Sequence, residues 1–271
     1  MNYSKDLIDF LNVSPVNYHA VKEVARRLDN AGYKYLSAEE KLGEVKAGDK
    51  FYVTKNDSSI YAFQIGKQTL GEAGFHIICA HSDSPTFRIK PNAEMTCERG
   101  MTKLNTEVYG GPIMSTWFDR PLSIAGRVII KTDDVMHPET RLLKVERPVL
   151  LIPNLAIHFN RQVNDGVKLS KQKDMLPIIG IVNDELEKGN MLMNLICSEL
   201  GVQKSDILDF DLYLYDVTPA CLVGVHDEFI SAGRIDDLSM VHAGLAALLA
   251  DTETVPETTK VLAIFDNEET G

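Results

Sequence analysis

The chain has 271 residues, 44% hydrophobic and 25% charged, so it can bury one large core or two smaller ones and does not have the composition of a disordered polypeptide. A formal net charge of -11 with a pI near 5.1 argues against nucleic acid or an anionic membrane as partner, since either calls for a basic face. Cys79, Cys97, Cys197 and Cys221 stand far apart with no Cys-x-x-Cys pair, which fits neither a disulfide scaffold nor a thiolate zinc site, and they read as reduced core residues. Residues 1–10 carry Asp6 and Asp9 and lack the basic region and apolar run of a signal peptide. No apolar stretch approaches the ~18 residues of a membrane span, and the expected location is the cytoplasm.

Apolar residues at Leu7, Ile8 and Leu11 behind a Ser4 cap, then at Val21, Val24, Ala25 and Leu28 before Gly32, predict two amphipathic helices. Leu36 to Glu39 and Lys50 to Ile65 read as strands, with Asn56-Asp57-Ser58-Ser59 as a hairpin turn. Residues 75–80 form an apolar run expected to be a strand covered on both faces, and it delivers His81-Ser82-Asp83 at its end. Short alternating runs follow: Thr86–Lys90, Lys103–Tyr109, Leu122–Thr132, Leu142–Leu151, Ile178–Val182 and Phe210–Tyr215, with one helix over Asp184 to Leu200. A helix opening at Asp236 and a strand from Lys260 to Phe265 close the chain, and that strand also ends in charge, Asp266-Asn267-Glu268-Glu269.

The economical architecture is α/β: a mixed sheet containing the strands at 75–80 and 260–265, helices on both its faces, and a β-rich domain inserted between them. The expected domains are 1–91 and 229–271 for the first and 92–228 for the insertion.

His81 and Asp83 lie two apart, so in extended backbone they point to one side, and the carboxylate can either fix the ring tautomer or act as a ligand itself. Taken alone, the triplet is equally a histidine closing a strand and bonding a turn. His81, Asp236, Glu268 and Glu269 all fall at ends of regular elements, and one imidazole with three carboxylates suits zinc or a similar divalent ion. Adjacent glutamates in extended backbone face opposite ways, so one can bind metal while the other serves as general base for amide hydrolysis. Acidic pairs are commonly solvated surface; recurrence after two apolar strands sets this one apart.

Five motifs then resemble, in order and spacing, the aspartyl aminopeptidase family of two-zinc metallopeptidases. They are His81-Ser82-Asp83-Ser84-Pro85, Trp117-Phe118-Asp119-Arg120-Pro121-Leu122, Leu155-Ala156-Ile157-His158-Phe159-Asn160, Gly233-Arg234-Ile235-Asp236-Asp237 and Phe265-Asp266-Asn267-Glu268-Glu269-Thr270-Gly271. The resemblance implies that His81 binds one zinc, Asp236 bridges two ions, Glu269 binds the other and Glu268 is the general base, with Asp83 orienting His81. It implies that His158 reaches a neighbouring subunit's active site, a metal role being the alternative. The implied fold is a zinc-peptidase α/β domain with an inserted β-rich dimerisation domain, assembled as a dodecamer that acts on peptides with amino-terminal acidic residues.

Members of that family continue past the Glu-Glu motif, where a later aspartate and a later histidine complete the two zinc sites. The resemblance therefore implies a catalytic domain incomplete at its carboxyl end, and a fragment without activity of its own. The competing expectation is a non-catalytic module that self-associates through the β-rich region around Trp117 and Phe118.

Overall fold

The computed structural model describes residues 2–37, 39–182 and 189–271. The chain divides into two compact units, residues 1–84 with 219–271, and residues 85–218. The division falls at 84/85 and 218/219, against 91/92 and 228/229 read from the sequence; at the first break the strand Thr86–Thr96 belongs whole to the second unit.

The first unit opens with α1 (Tyr3–Val13) and α2 (Asn17–Asn30). Asn2, not Ser4, caps α1: its backbone is extended and its side chain accepts the Lys5 N–H at 3.1 Å. Asn and Ser cap about equally well, so the residue that sits outside the first turn takes the role. After Gly32, at φ 80°, come β1 (Lys34–Tyr35), β2 (Lys50–Lys55), β3 (Ser59–Gln64), the short α3 (Leu70–Ala73) and β4 (Phe75–His81). The first of these strands lies ahead of the predicted Leu36–Glu39, whose Ala38 is outside the described residues. Asn56 and Asp57 turn the β2–β3 hairpin with φ of 53° and 57°, the left-handed pair whose twist matches that of the flanking strands.

The second unit contains β5 (Thr86–Thr96), β6 (Met101–Tyr109), β7 (Leu122–Ile130), β8 (Glu139–Lys144), β9 (Ile178–Ile181), α4 (Met191–Leu200) and β10 (Ile207–Asp216). Its antiparallel sheet has the order β8-β7-β10-β5-β6-β9. One sheet face buries Phe87, Leu104, Ile124 and Leu212 with Leu192 and Ile196 of α4. The predicted helix is described from Met191 onward and stops at Gly201 in the left-handed conformation, φ 65°. Its predicted beginning, residues 184–188, is outside the described residues.

The first unit resumes with the hairpin β11 (Cys221–Val223) and β12 (Phe229–Ser231), then α5 (Ile235–Leu249) and β13 (Thr259–Phe265). Its five-stranded sheet runs β1-β2-β3-β13-β4, with β13 antiparallel to β3 and parallel to β4. Ile60, Ala62, Ala80, Leu262 and Ile264 share a core with Phe10, Leu11, Val24, Leu28, Leu238, Val241 and Leu245 of the helices. That core lies on one face only. Phe75, Ile77 and Phe265 point the other way and are 47%, 57% and 45% exposed, and β4 is the last strand in the order, so among the described residues nothing covers that face of β4.

Gly244 sets how closely α5 approaches the sheet: a Cβ there would lie 2.9 Å from Ile78 Cγ2 and from Leu262 Cδ1. Across the helices, Asp6 Oδ2 lies 2.6 Å from His242 Nε2 and 2.7 Å from Arg27 Nη1, and Glu23 also accepts from Arg27. One carboxylate on α1 thereby joins α2 and α5.

Gly244→Val should lower unfolding free energy by about 2 kcal/mol or more through overpacking against β4 and β13, read as a fall in denaturant midpoint at constant slope; an unchanged midpoint would mean the helix shifts freely. Burial by itself would push the Asp6 carboxyl up, but hydrogen bonds from Arg27 and His242 outweigh it and hold it below its ordinary value. The stability this carboxylate contributes is therefore fully present above its unfolded pKa of about 3.9 and is lost as pH falls through the lower folded value. Denaturant titrations between about pH 5 and pH 3 should show stability declining, less steeply in Asp6→Asn; parallel slopes would assign acid lability to other carboxylates.

Candidate metal centre

β4 and β13 run parallel with Phe265 opposite His81, so both strands end at the same edge of the sheet. The ladder continues one residue further, where the Ser82 N–H donates to the Phe265 carbonyl at 2.8 Å. The buried Ser82 hydroxyl donates to the Ser58 carbonyl at 2.6 Å and so fastens this end to the β2–β3 hairpin. On the other strand, Asn17 Nδ2 donates to Asp266 Oδ1 at 3.0 Å, tying the start of α2 to the chain leaving β13.

Past Asp266 the chain does not stay extended. Asn267 adopts φ 64° and residues 268–270 form a turn. The Asp83 carboxylate, 2% exposed, accepts the Glu268 N–H at 3.3 Å and the Glu269 N–H at 3.1 Å. The expectation that the two glutamates face opposite ways is corrected by this turn: both carboxylates have an oxygen within reach of the His81 ring, the donor atoms of His81, Glu268 and Glu269 lying within 4.8 Å of one another.

His81 Nδ1 is 3.0 Å from the Asp83 main-chain carbonyl and 3.3 Å from Asp83 Oδ1. A carbonyl can only accept, so the proton belongs on Nδ1 and the Nε2 lone pair is left free. Nε2 lies 3.5 Å from Asp236 Oδ1, 3.7 Å from Glu268 Oε2 and 3.8 Å from Asp237 Oδ2. Burial by itself would lower the His81 pKa, but the Asp237 and Asp83 carboxylates, with Glu268, raise it above its usual value. Burial raises Glu269; His81 opposes this, and the neighbouring carboxylates Asp83, Asp236 and Glu268 add to it.

Asp236 and Asp237, joined by a cis peptide bond, stand at the entrance of α5 in non-helical conformations, so the regular helix begins after them and not at Asp236. Asp237 is the site residue that the sequence reading left without a role. A side chain beside a named ligand gives no signal in the apolar pattern of the helix; only its position next to Asp236 marked it. Arg234 is a second: its guanidinium donates to the Ser14 and Leu11 carbonyls at the end of α1, fixing the approach to α5. His158 belongs to the second unit, exposed in a turn between exposed Ile157 and Phe159, and is in neither donor group.

One imidazole nitrogen facing carboxylate oxygens is a donor set that fits a borderline divalent cation such as zinc. His81, Glu268 and Glu269 form one group of three and His81, Asp236 and Asp237 another. The α/β unit and this donor set are those of a metallohydrolase class. Residues 10–271 match the family model of the aminopeptidase I zinc metalloproteases, M18, and the chain belongs to that family.

A probable M18 family aminopeptidase 2 from Clostridium acetobutylicum is 52% identical over 271 residues, all of this chain and 62% of the relative. Among solved structures, mApe1 of Chaetomium thermophilum superposes with a TM-score of 0.89 at 34% identity, over 98% of this chain and 62% of that one. The S. cerevisiae mApe1 dodecamer gives 0.83 at 27% identity, over 99% and 61%. The chain thus spans about three-fifths of the length of the curated relatives it matches.

Replacing Asp83 by Ala removes the acceptor for two main-chain N–H groups at once, a loss of about 2 kcal/mol or more when such donors are left unmatched. Denaturant unfolding should show that loss, and hydrogen exchange at the Glu268 and Glu269 amides should accelerate ahead of the strand amides. Unchanged protection of those two amides would remove Asp83 from this role.

Proposed function

We propose that this chain carries the zinc-binding part of a cytoplasmic aminopeptidase that removes amino-terminal residues, acidic ones preferred, from peptides. One observation carries the reading: Nε2 of His81 has the carboxylates of Asp236, Asp237 and Glu268 within 3.8 Å. Such a gathering of negative charge around a lone pair is stabilised by a cation, and it leaves a field that attracts the α-ammonium group of a peptide.

In this reading His81 and Glu269 would each hold a zinc ion and Asp236 would contribute to both sites. Zinc takes four ligands, so each ion draws on donors beyond the three gathered here. Bound zinc supplies Lewis acidity to the scissile carbonyl and lowers the pKa of water. Glu268, with its side chain 63% exposed, takes a proton from the attacking water and returns it to the departing amine. Asp83 keeps Nδ1 of His81 protonated and both glutamates in their turn.

His158 contributes to a neighbouring subunit's site in a dimer-based homo-oligomer formed through the second unit. The exposed Leu155, Ile157 and Phe159 around it and the dodecameric assembly of the S. cerevisiae relative support this. The cytoplasmic placement is supported by the described residues, in which no helix is long and apolar enough to cross a membrane.

Zinc titration by chelator competition, paired with hydrolysis of aspartyl and glutamyl amides, tests the assignment. Glu269→Gln should weaken zinc binding at least ~10-fold, whereas Glu268→Gln should bind as the parent does and cut any turnover by about 100-fold or more. Loss of metal from Glu268→Gln with retention in Glu269→Gln would mean the two roles are exchanged. No zinc binding by the parent would end the proposal.

A further inference from the structure

The main-chain N–H of His81 points to the side of β4 away from β13. In the parallel ladder alternate N–H groups turn to opposite sides, and it is Ser82 whose N–H reaches Phe265 across to β13. There the acceptor is Asp237 Oδ2, at 3.0 Å, a side-chain oxygen in place of a strand carbonyl. The same oxygen is 3.8 Å from His81 Nε2. Its side chain is 16% exposed against 85% for Asp236, so of the two neighbouring carboxylates one is turned into the protein and the other out of it.

Asp237 is itself held from both directions. Before it, Arg234 is fastened to the carbonyls of Leu11 and Ser14; after it, Leu238 and Val241 are fully buried in the helix–sheet core. A carboxylate so anchored, accepting from a main-chain N–H, restrains backbone and not merely a neighbouring side chain. We propose that Asp237 is a positioning residue: by fixing the His81 main chain from the side away from β13 it sets where the Nε2 lone pair stands, complementing Asp83, which sets the ring's rotation from the Nδ1 side. The consequence for metal binding rests on the zinc reading above; the restraint on His81 does not.

The test compares Asp237→Ala, which removes the acceptor, with Asp237→Asn, which keeps an oxygen able to accept. In the metal-free chain, hydrogen exchange at the His81 amide, followed by NMR, should be slow in the parent and in Asp237→Asn and at least ~10-fold faster in Asp237→Ala. Zinc affinity by chelator competition should fall ~10- to 100-fold in Asp237→Ala, the range found for outer partners of metal ligands, and should be largely rescued in Asp237→Asn. Equal His81 protection in Asp237→Ala and the parent would overturn the proposal. So would Asp237→Asn binding zinc as weakly as Asp237→Ala while its His81 amide stays protected, since charge and not the main-chain bond would then be what matters. If the parent bound no zinc the metal reading alone would fail, and the exchange rates would still decide whether Asp237 holds His81.

Discussion

A single buried carboxylate, that of Asp83, is what the rest of the site depends on. Burying such a group unpaired costs several kcal/mol; here it accepts two main-chain N–H groups from the turn after β13 and faces the ring of His81 across the end of β4. The two parallel strands are adjacent along the sheet, but adjacency alone would leave the residues beyond Phe265 free to continue in any direction. Asp83 bends them back, so the placement of Glu268 and Glu269 is a property of hydrogen-bonded main chain and not of long, mobile side chains.

The first unit therefore combines a well-packed layer with an electrostatically costly edge. On the helix side, close approach at Gly244 and the joint formed by Asp6, Arg27 and His242 hold α1, α2 and α5 to the sheet. At the strand ends, besides Asp83, the imidazole of His81 stands among four carboxylates contributed by two separate segments. Arrangements that lower stability where they concentrate charge are characteristic of functional sites, and the chain belongs to the M18 zinc metalloproteases; in the function proposed above, a bound divalent cation would offset this repulsion.

Much of this was legible in the residues. The hairpin at Asn56-Asp57, the strands delivering His81 and Glu268, the β-rich insertion and the helix stop at Gly201 all follow from local propensity and periodicity, which tertiary packing here reinforces. What escaped has physical reasons. An apolar run such as Phe75 to Ala80 reports that a strand is apolar, not how many neighbours stand beside it. The turn at Asn267 depends on a bond from Asp83, far away in sequence, and no local pattern encodes it. Asp237 differs from Asp236 only in which way it points, a matter of backbone geometry at the entrance to α5, and Asn2 displaced Ser4 as cap by position alone.

In the proposed site, His81 and the surrounding carboxylates together hold zinc. X-ray absorption at the zinc edge on the metal-loaded chain measures this directly. Imidazole nitrogen and carboxylate oxygen neighbours are expected at about 2.0–2.2 Å, with the imidazole contribution lost in His81→Ala. A sulfur neighbour near 2.3 Å, which Cys79, exposed two residues before His81 on the same strand, could supply, or an imidazole signal that survives the His81 substitution, would contradict it.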